Sequence, residues 1–139
     1  MDALQSSIAA ASAGLEAQAK RLRVAAENLA NAQSTGATPG ADPYRRKTVA
    51  FATASDHDTG ATLVKIAAID ADPRPFELKY DPGNAAADAK GYVKYPNVNP
   101  LIELADMREA NRSYESNLQV IKQARDLISM TIDLLRSNS

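Results

Sequence analysis

The stretch PLIELADMREANRSYESNLQVIKQARDLISMTIDLL, residues 100–135, decides the fold. Read at heptad spacing, Leu104, Met107, Asn111, Tyr114 and Leu118 are followed by Ile121, Arg125, Ile128, Ile132 and Leu135, at alternating steps of three and four. That is the seam of a long amphipathic helix made to lie against another helix. Val120, Ala124, Leu127 and Leu134 widen it, while Arg108, Glu109, Arg112, Glu115, Lys122 and Asp126 fall mostly on other faces. After Pro100 no Gly or Pro interrupts the i to i−4 ladder. About 36 residues at about 1.5 Å each make a rod of about 54 Å. A compact domain of this size needs less, so a partner outside the domain is expected.

The first thirty residues supply a matching helix. Leu4, Ile8, Ala11, Leu15, Gln18, Leu22, Ala25 and Leu29 repeat the four-three alternation, flanked by Ala9, Ala10, Ala13, Ala17, Ala19, Ala26 and Ala30. Alanine favours helix and permits close axial approach. Gly14 is a weak point, costing about 1 kcal/mol against Ala in a helix interior. A seam built partly of Ala and Gln buries little apolar area, so this helix is expected to be marginal alone and firm when packed. It is expected to end between Asn31, which tolerates left-handed geometry, and Thr35. Gly36, Pro39, Gly40 and Pro43 then block helix, and Gln33 to Pro43 reads as a flexible linker or loop.

Between Tyr44 and Asn99 the apolar period changes to two. Val49 and Phe51, then Leu63 to Ile66 continuing towards Ile69, then Phe76, Leu78 and Tyr80, then Gly91 to Tyr95 read as four strands. Asp72-Pro73-Arg74-Pro75 and Asp81-Pro82-Gly83-Asn84 are turns by their chemistry. Pro96 to Pro100 mark the handover to the last helix, with Pro100 suited to its first turn. The fold class expected is α+β: long N- and C-terminal helices paired in a coiled-coil-like layer, with a small antiparallel β module between them. The boundaries are 1–33 for the first helix, 34–43 for the linker, 44–99 for the module and 100–139 for the last helix. With two Phe and few large aliphatics, the module has a thin core.

Composition excludes more than it assigns. A net charge of −1 gives no global field for nucleic acid or an anionic membrane, and neither partner is expected. The short clusters Lys20/Arg21/Arg23 and Arg45/Arg46/Lys47 read as solvated faces. Without cysteine there is no disulfide, thiolate metal site or Cys nucleophile. No segment approaches the ~20 apolar residues of a membrane span, and the start of the chain has no basic region before a continuous apolar run, so no cleaved signal peptide is expected. Asp56-His57-Asp58 is the sole histidine constellation; in extended chain its neighbours point away from the imidazole, so a polar loop is the simpler reading than a metal site. No nucleophile elbow, phosphate loop or zinc-protease motif occurs. The expectation is a non-enzyme without cofactors. Asn111 and Arg125, polar on an apolar seam, read either as register-fixing positions or as locally solvated ones.

Several motifs carry a family resemblance. Gly14-Leu15-Glu16-Ala17-Gln18, Arg21-Leu22 and Ala26-Glu27-Asn28-Leu29-Ala30-Asn31 resemble the N-terminal signature of bacterial flagellar rod and hook proteins. Tyr80-Asp81-Pro82-Gly83, Gly91-Tyr92-Val93, Pro96-Asn97-Val98-Asn99, Leu104-Ala105-Asp106-Met107, Ala110 to Tyr114 and Glu115-Ser116-Asn117 are similar to the proximal-rod members, in the same order. The likeness covers residues 1–31 and 75–136; Asn84-Ala85 and Leu101 to Leu104 depart from the family pattern in local detail. It implies a structural subunit of the basal-body rod, self-associating in a helical assembly. It implies contact with other rod proteins and with the adaptor joining rod to membrane ring, and passage through the flagellar export apparatus without a cleaved signal. It implies a place in the periplasm-spanning rod, with no direct membrane insertion. Asn28 and Asn31 in the N-terminal motif then join the heptad positions named above as the expected assembly interface. The rival readings are a soluble coiled-coil adaptor or secretion chaperone forming a discrete dimer, and a small enzyme whose β module carries the site.

Overall fold

A computed structural model of the chain describes residues 2–138. Helix α1 (Asp2–Ala30) is followed by strands β1 (Lys47–Ser55), β2 (Thr62–Ala71), β3 (Glu77–Tyr80) and β4 (Tyr92–Tyr95), and the chain closes with helix α2 (Pro100–Ser137). The α+β class is as the periodicity predicts, and the four strands fall where it changes to two. They form two separate two-stranded sheets, β1 with β2 and β3 with β4.

Local chemistry explains the boundaries. Asn99 caps α2: its Oδ1 accepts from the Leu101 N–H at 3.1 Å, and its carbonyl accepts from Ile102 and Glu103. Pro100, lacking a donor, takes the first helical position. α1 ends differently from the expectation at Asn31. No described residue other than glycine has positive φ. Instead the Asn31 amide donates to the Glu27 carbonyl at 2.9 Å, and its Oδ1 accepts from Ser34. The Glu27 carbonyl also accepts from the Asn31 backbone N–H at 3.1 Å, so the helix end is closed without a left-handed residue. The 34–43 segment is a turn-rich loop tied back by Tyr44 N–H to the Ser34 carbonyl and Gly40 N–H to the Ala86 carbonyl.

The β1–β2 hairpin is pinned at both ends. The Asp56 backbone N–H donates to the Ala61 carbonyl at 2.8 Å across a turn with Gly60 at φ 72°, and the Asp72 backbone N–H donates to the Arg46 carbonyl at 2.8 Å. His57 sits exposed in that turn. β3 and β4 run antiparallel, Glu77 facing Tyr95 and Tyr80 facing Tyr92. Gly91 before β4 has φ 87°, and a Cβ there would come within 2.9 Å of the Tyr80 ring, so only glycine turns the chain there.

By compactness the residues fall in two units. One comprises residues 1–21, 51–67 and 109–139; the other comprises 22–50 and 68–108. The first buries Ala11, Ala17, Ala110, Ile121 and Ala124. The second buries Val24, Ala25, Ala86 and Val93, and with them Asn28, Asp72 and Glu103.

Candidate assembly interface

In the first unit α1 and α2 are antiparallel partners. Arg21 lies 3.7 Å from Glu109, and a Cβ built on Gly14 would lie 2.5 Å from the Asn117 amide nitrogen. Seven residues back along α1 correspond to eight forward along α2. The Asn117 amide leaves no room for a side chain at Gly14, which gives the helix-weakening glycine its reason.

The face that α2 turns inward is one residue away from the expected seam. Buried or half-buried positions run Glu103, Met107, Ala110, Tyr114, Asn117, Ile121, Ala124 and Ile128, again in steps of four and three. Met107, Tyr114, Ile121 and Ile128 of the expected seam therefore face inward. Leu104, Asn111, Arg125, Ile132 and Leu135 are exposed, and Leu118 is half-buried. The cause is size: the row of Ala110 and Ala124, opposite the Ala11/Gly14/Ala17 face of α1, lets helix axes come close, as bulky Leu does not. On α1, Leu4, Ile8, Leu15, Leu22 and Leu29 are half-buried, and the small residues beside them take the interior. Asn111 and Arg125 hence lie outside the seam that this chain forms with itself.

What remains on the surface of α2 is a large apolar strip. Val120, Leu127, Met130, Ile132, Leu134 and Leu135 are all exposed, the last at 68%. Near the start of the helix Leu101, Ile102 and Leu104 are exposed too. An exposed aliphatic strip of this kind marks an interaction surface. No helix among the described residues is long and apolar enough to cross a membrane.

The second unit holds a buried polar network that the sequence reading missed. Asn28, 1% exposed, uses every side-chain valence. Its amide donates to the Lys47 carbonyl at 2.9 Å and to Glu103 Oε2 at 3.3 Å. Its Oδ1 accepts from Tyr44 Oη at 2.7 Å and from the Lys47 N–H at 2.9 Å. Glu103 is completely buried and pairs with Arg46 Nε. Arg46 reaches on to Asp72 at 3.3 Å, and Asp72 is clasped by Arg74 at 2.7 Å. Asn97 completes the ring, accepting from Arg46 N–H and donating to the carbonyls of Asp72 and Arg74. The basic cluster at residues 45–47 is thus not a solvated face, because Arg46 is drawn inward by two carboxylates. Asn28, expected at an interface between copies, spends its four side-chain hydrogen bonds inside the chain.

The charges behave as their partners dictate. Hydrogen bonds from Arg74, aided by Arg46, hold the Asp72 carboxyl well below the usual carboxylate range despite burial. Burial opposes the Arg46 charge, but the Glu103 and Asp72 bonds outweigh it and raise its affinity for its proton. Burial, followed by the Glu27 and Glu103 charges, pushes the Tyr44 hydroxyl up to about 12. Every buried side-chain donor and acceptor among the described residues has a partner. Satisfied and paired, with Asn28, Asp72 and Glu103 buried at its centre, the network is built to hold helices to loops. No cluster of three metal-ligating side chains occurs among the described residues.

Comparison with known proteins adds the missing context. Residues 89–134 match the family described as flagellar basal body rod FlgEFG protein C-terminal. Over 138 residues the chain is 59% identical to the flagellar basal-body rod protein FlgC of Agrobacterium fabrum, covering 99% of each. It is 42% identical over 125 residues to that of Salmonella typhimurium, covering 89% of this chain and 92% of the relative. It is 38% identical over 150 residues to that of Borreliella burgdorferi, covering 96% and 98%.

Proposed function

The chain belongs to the FlgC family of flagellar basal-body rod proteins, and from that premise we propose that it joins the rod through the outward apolar strip of its terminal helices. It is a structural subunit of the flagellar basal-body rod, located in the basal body, and it assembles with other flagellar components. The relatives are structural proteins, not enzymes, and the adaptor or chaperone reading as a discrete dimer finds no support among them.

The single observation that carries the proposal is the division of labour on α2. Ala110 and Ala124 share the inward face with Met107, Tyr114, Ile121 and Ile128, and Leu104, Leu118, Leu127, Ile132, Leu134 and Leu135 are left at or near the surface. Burying such side chains yields about 25 cal/mol per Å², so they supply the association energy the intrachain seam does not use. Leu4, Ile8, Leu15, Leu22 and Leu29 extend the surface along α1. Copies of this chain, other rod proteins and the adaptor at the membrane ring are the partners.

The experiment is substitution at the strip. Leu127→Asp and Leu118→Asp chains that fold in isolation, by circular dichroism, are expected to be absent from purified basal bodies and to leave cells non-motile. Normal incorporation of both would overturn the proposal.

A further inference from the structure

We propose that the cleft between α1 and β2 is a socket for the carboxy-terminal end of α2 from a second copy of this chain; the inference rests on the rod-subunit reading above. The cleft has a volume of about 340 Å³. Ala13, Ala17, Leu63 and Ile66 make it apolar; Lys65 lines it too, as do Glu16 and Lys20, which pair with each other at 3.3 Å.

The occupant is argued from the register of the helix pair. Arg21 meets Glu109 and Gly14 meets Asn117; carried on at the common rise per residue, Asp2 lies opposite about residue 129. The last turns of α2 run beyond the described start of α1, and every described residue after Ile128 is exposed. This end stays helical to Ser137 with Leu127, Met130 and Leu134 on one side, at spacings i, i+3 and i+7. Those are the anchor spacings of a helix laid in an apolar groove. Asp126 and Asp133 each precede an anchor and so flank the stripe on one side, complementing the charge of Lys65 in the cleft.

A chain cannot fill its own socket. The middle of the cleft is near Glu16, and the end of α2 lies past Asp2, about 25 Å away along the helices at about 1.5 Å per residue. Socket and plug are different surfaces on one chain, so the contact is heterologous and repeats without closing on itself, the geometry of a helical stack.

The test exploits the absence of cysteine. Two tagged forms, Lys65→Cys and Asp133→Cys, are expressed together, and basal bodies are purified and oxidised. A disulfide-linked dimer carrying both tags is expected. Basal bodies that contain both forms without that dimer, or with Asp133→Cys linked to a different protein, overturn the socket while the rod reading stands. Exclusion of both forms from basal bodies overturns the rod reading itself. A charge exchange gives a second readout: Lys65→Asp and Asp133→Lys singly should at least halve the swarm diameter, and together restore it. A double variant no better than the worse single variant rules out the pairing.

Discussion

Arg46 donates its Nε hydrogen to the Glu103 carboxylate, and Glu103 has no contact with solvent. A buried ion pair contributes little net stability, but removal of one partner leaves an uncompensated charge. Arg46→Met is therefore expected to cost about 3–5 kcal/mol. The double variant Arg46→Met/Glu103→Leu should recover much of that loss. Urea midpoints at constant m-value check both. Equal destabilisation of single and double variants would refute the account.

The acid limb of stability belongs to Asp72. Its folded carboxyl is depressed by Arg74 and Arg46, so its contribution is complete above the ordinary carboxylate value, about pH 4, and is lost as pH falls below it. The alkaline limb belongs to Tyr44. Its hydroxyl is raised to about 12, so the contribution is complete below about pH 10 and disappears as pH rises towards 12. Asp72→Asn is expected to flatten the first limb, and Tyr44→Phe the second, in thermal melts across pH.

Gly14→Ala should destabilise the chain by about 1–3 kcal/mol, although alanine is the better helix former, because the added methyl meets the Asn117 amide. Asn117→Ala removes each atom that the methyl would strike. The pair Gly14→Ala/Asn117→Ala should regain the loss, and a double-mutant cycle on thermal midpoints measures the coupling. A neutral Gly14→Ala would refute the steric conflict with Asn117.

Inner and outer faces of α2 should separate in mutagenesis. Ile121→Asp puts a charge against α1 and is expected to unfold the helix pair at a cost of several kcal/mol. Leu134→Asp should leave monomer stability within about 0.5 kcal/mol and abolish incorporation. Asn111→Leu enlarges the exposed strip and should increase self-association by light scattering with monomer helicity unchanged. His57→Ala, in an exposed turn, should change neither stability nor motility.

Much of the architecture was legible in the sequence because each element carries its own period and punctuation: heptads to Leu135, alternation in Phe76/Leu78/Tyr80, an Asn99-Pro100 helix start. What was not legible was which of two adjacent rows of α2 faces inward. Hydrophobicity favoured the row with Leu104, Leu118 and Ile132; geometry chose the row with Ala110 and Ala124, since close approach rewards small side chains. One cue was available. Glu103, Ala110, Asn117 and Ala124 also repeat every seven residues, opposite an Ala/Gly face of α1. The polar network was hidden for another reason. Asn28, Arg46, Asp72, Asn97 and Glu103 come from five separate places in the chain, and each alone reads as a cap, a turn or a solvated charge.

The smallness of the side chains between α1 and α2 has a calorimetric consequence. Heat capacity changes follow the apolar area exposed or hidden. A subunit whose buried hydrophobic residues are mostly alanine, with only Val24, Val93 and Ile121 larger, exposes little such area on melting, so its unfolding should show a low heat-capacity increment per residue and a broad transition. The steep temperature dependence belongs to the assembly step, where the leucines and isoleucines leave water and the heat capacity falls. Cooling should therefore loosen the contacts between subunits before it weakens any subunit, and a rod of such chains is strongest when warm.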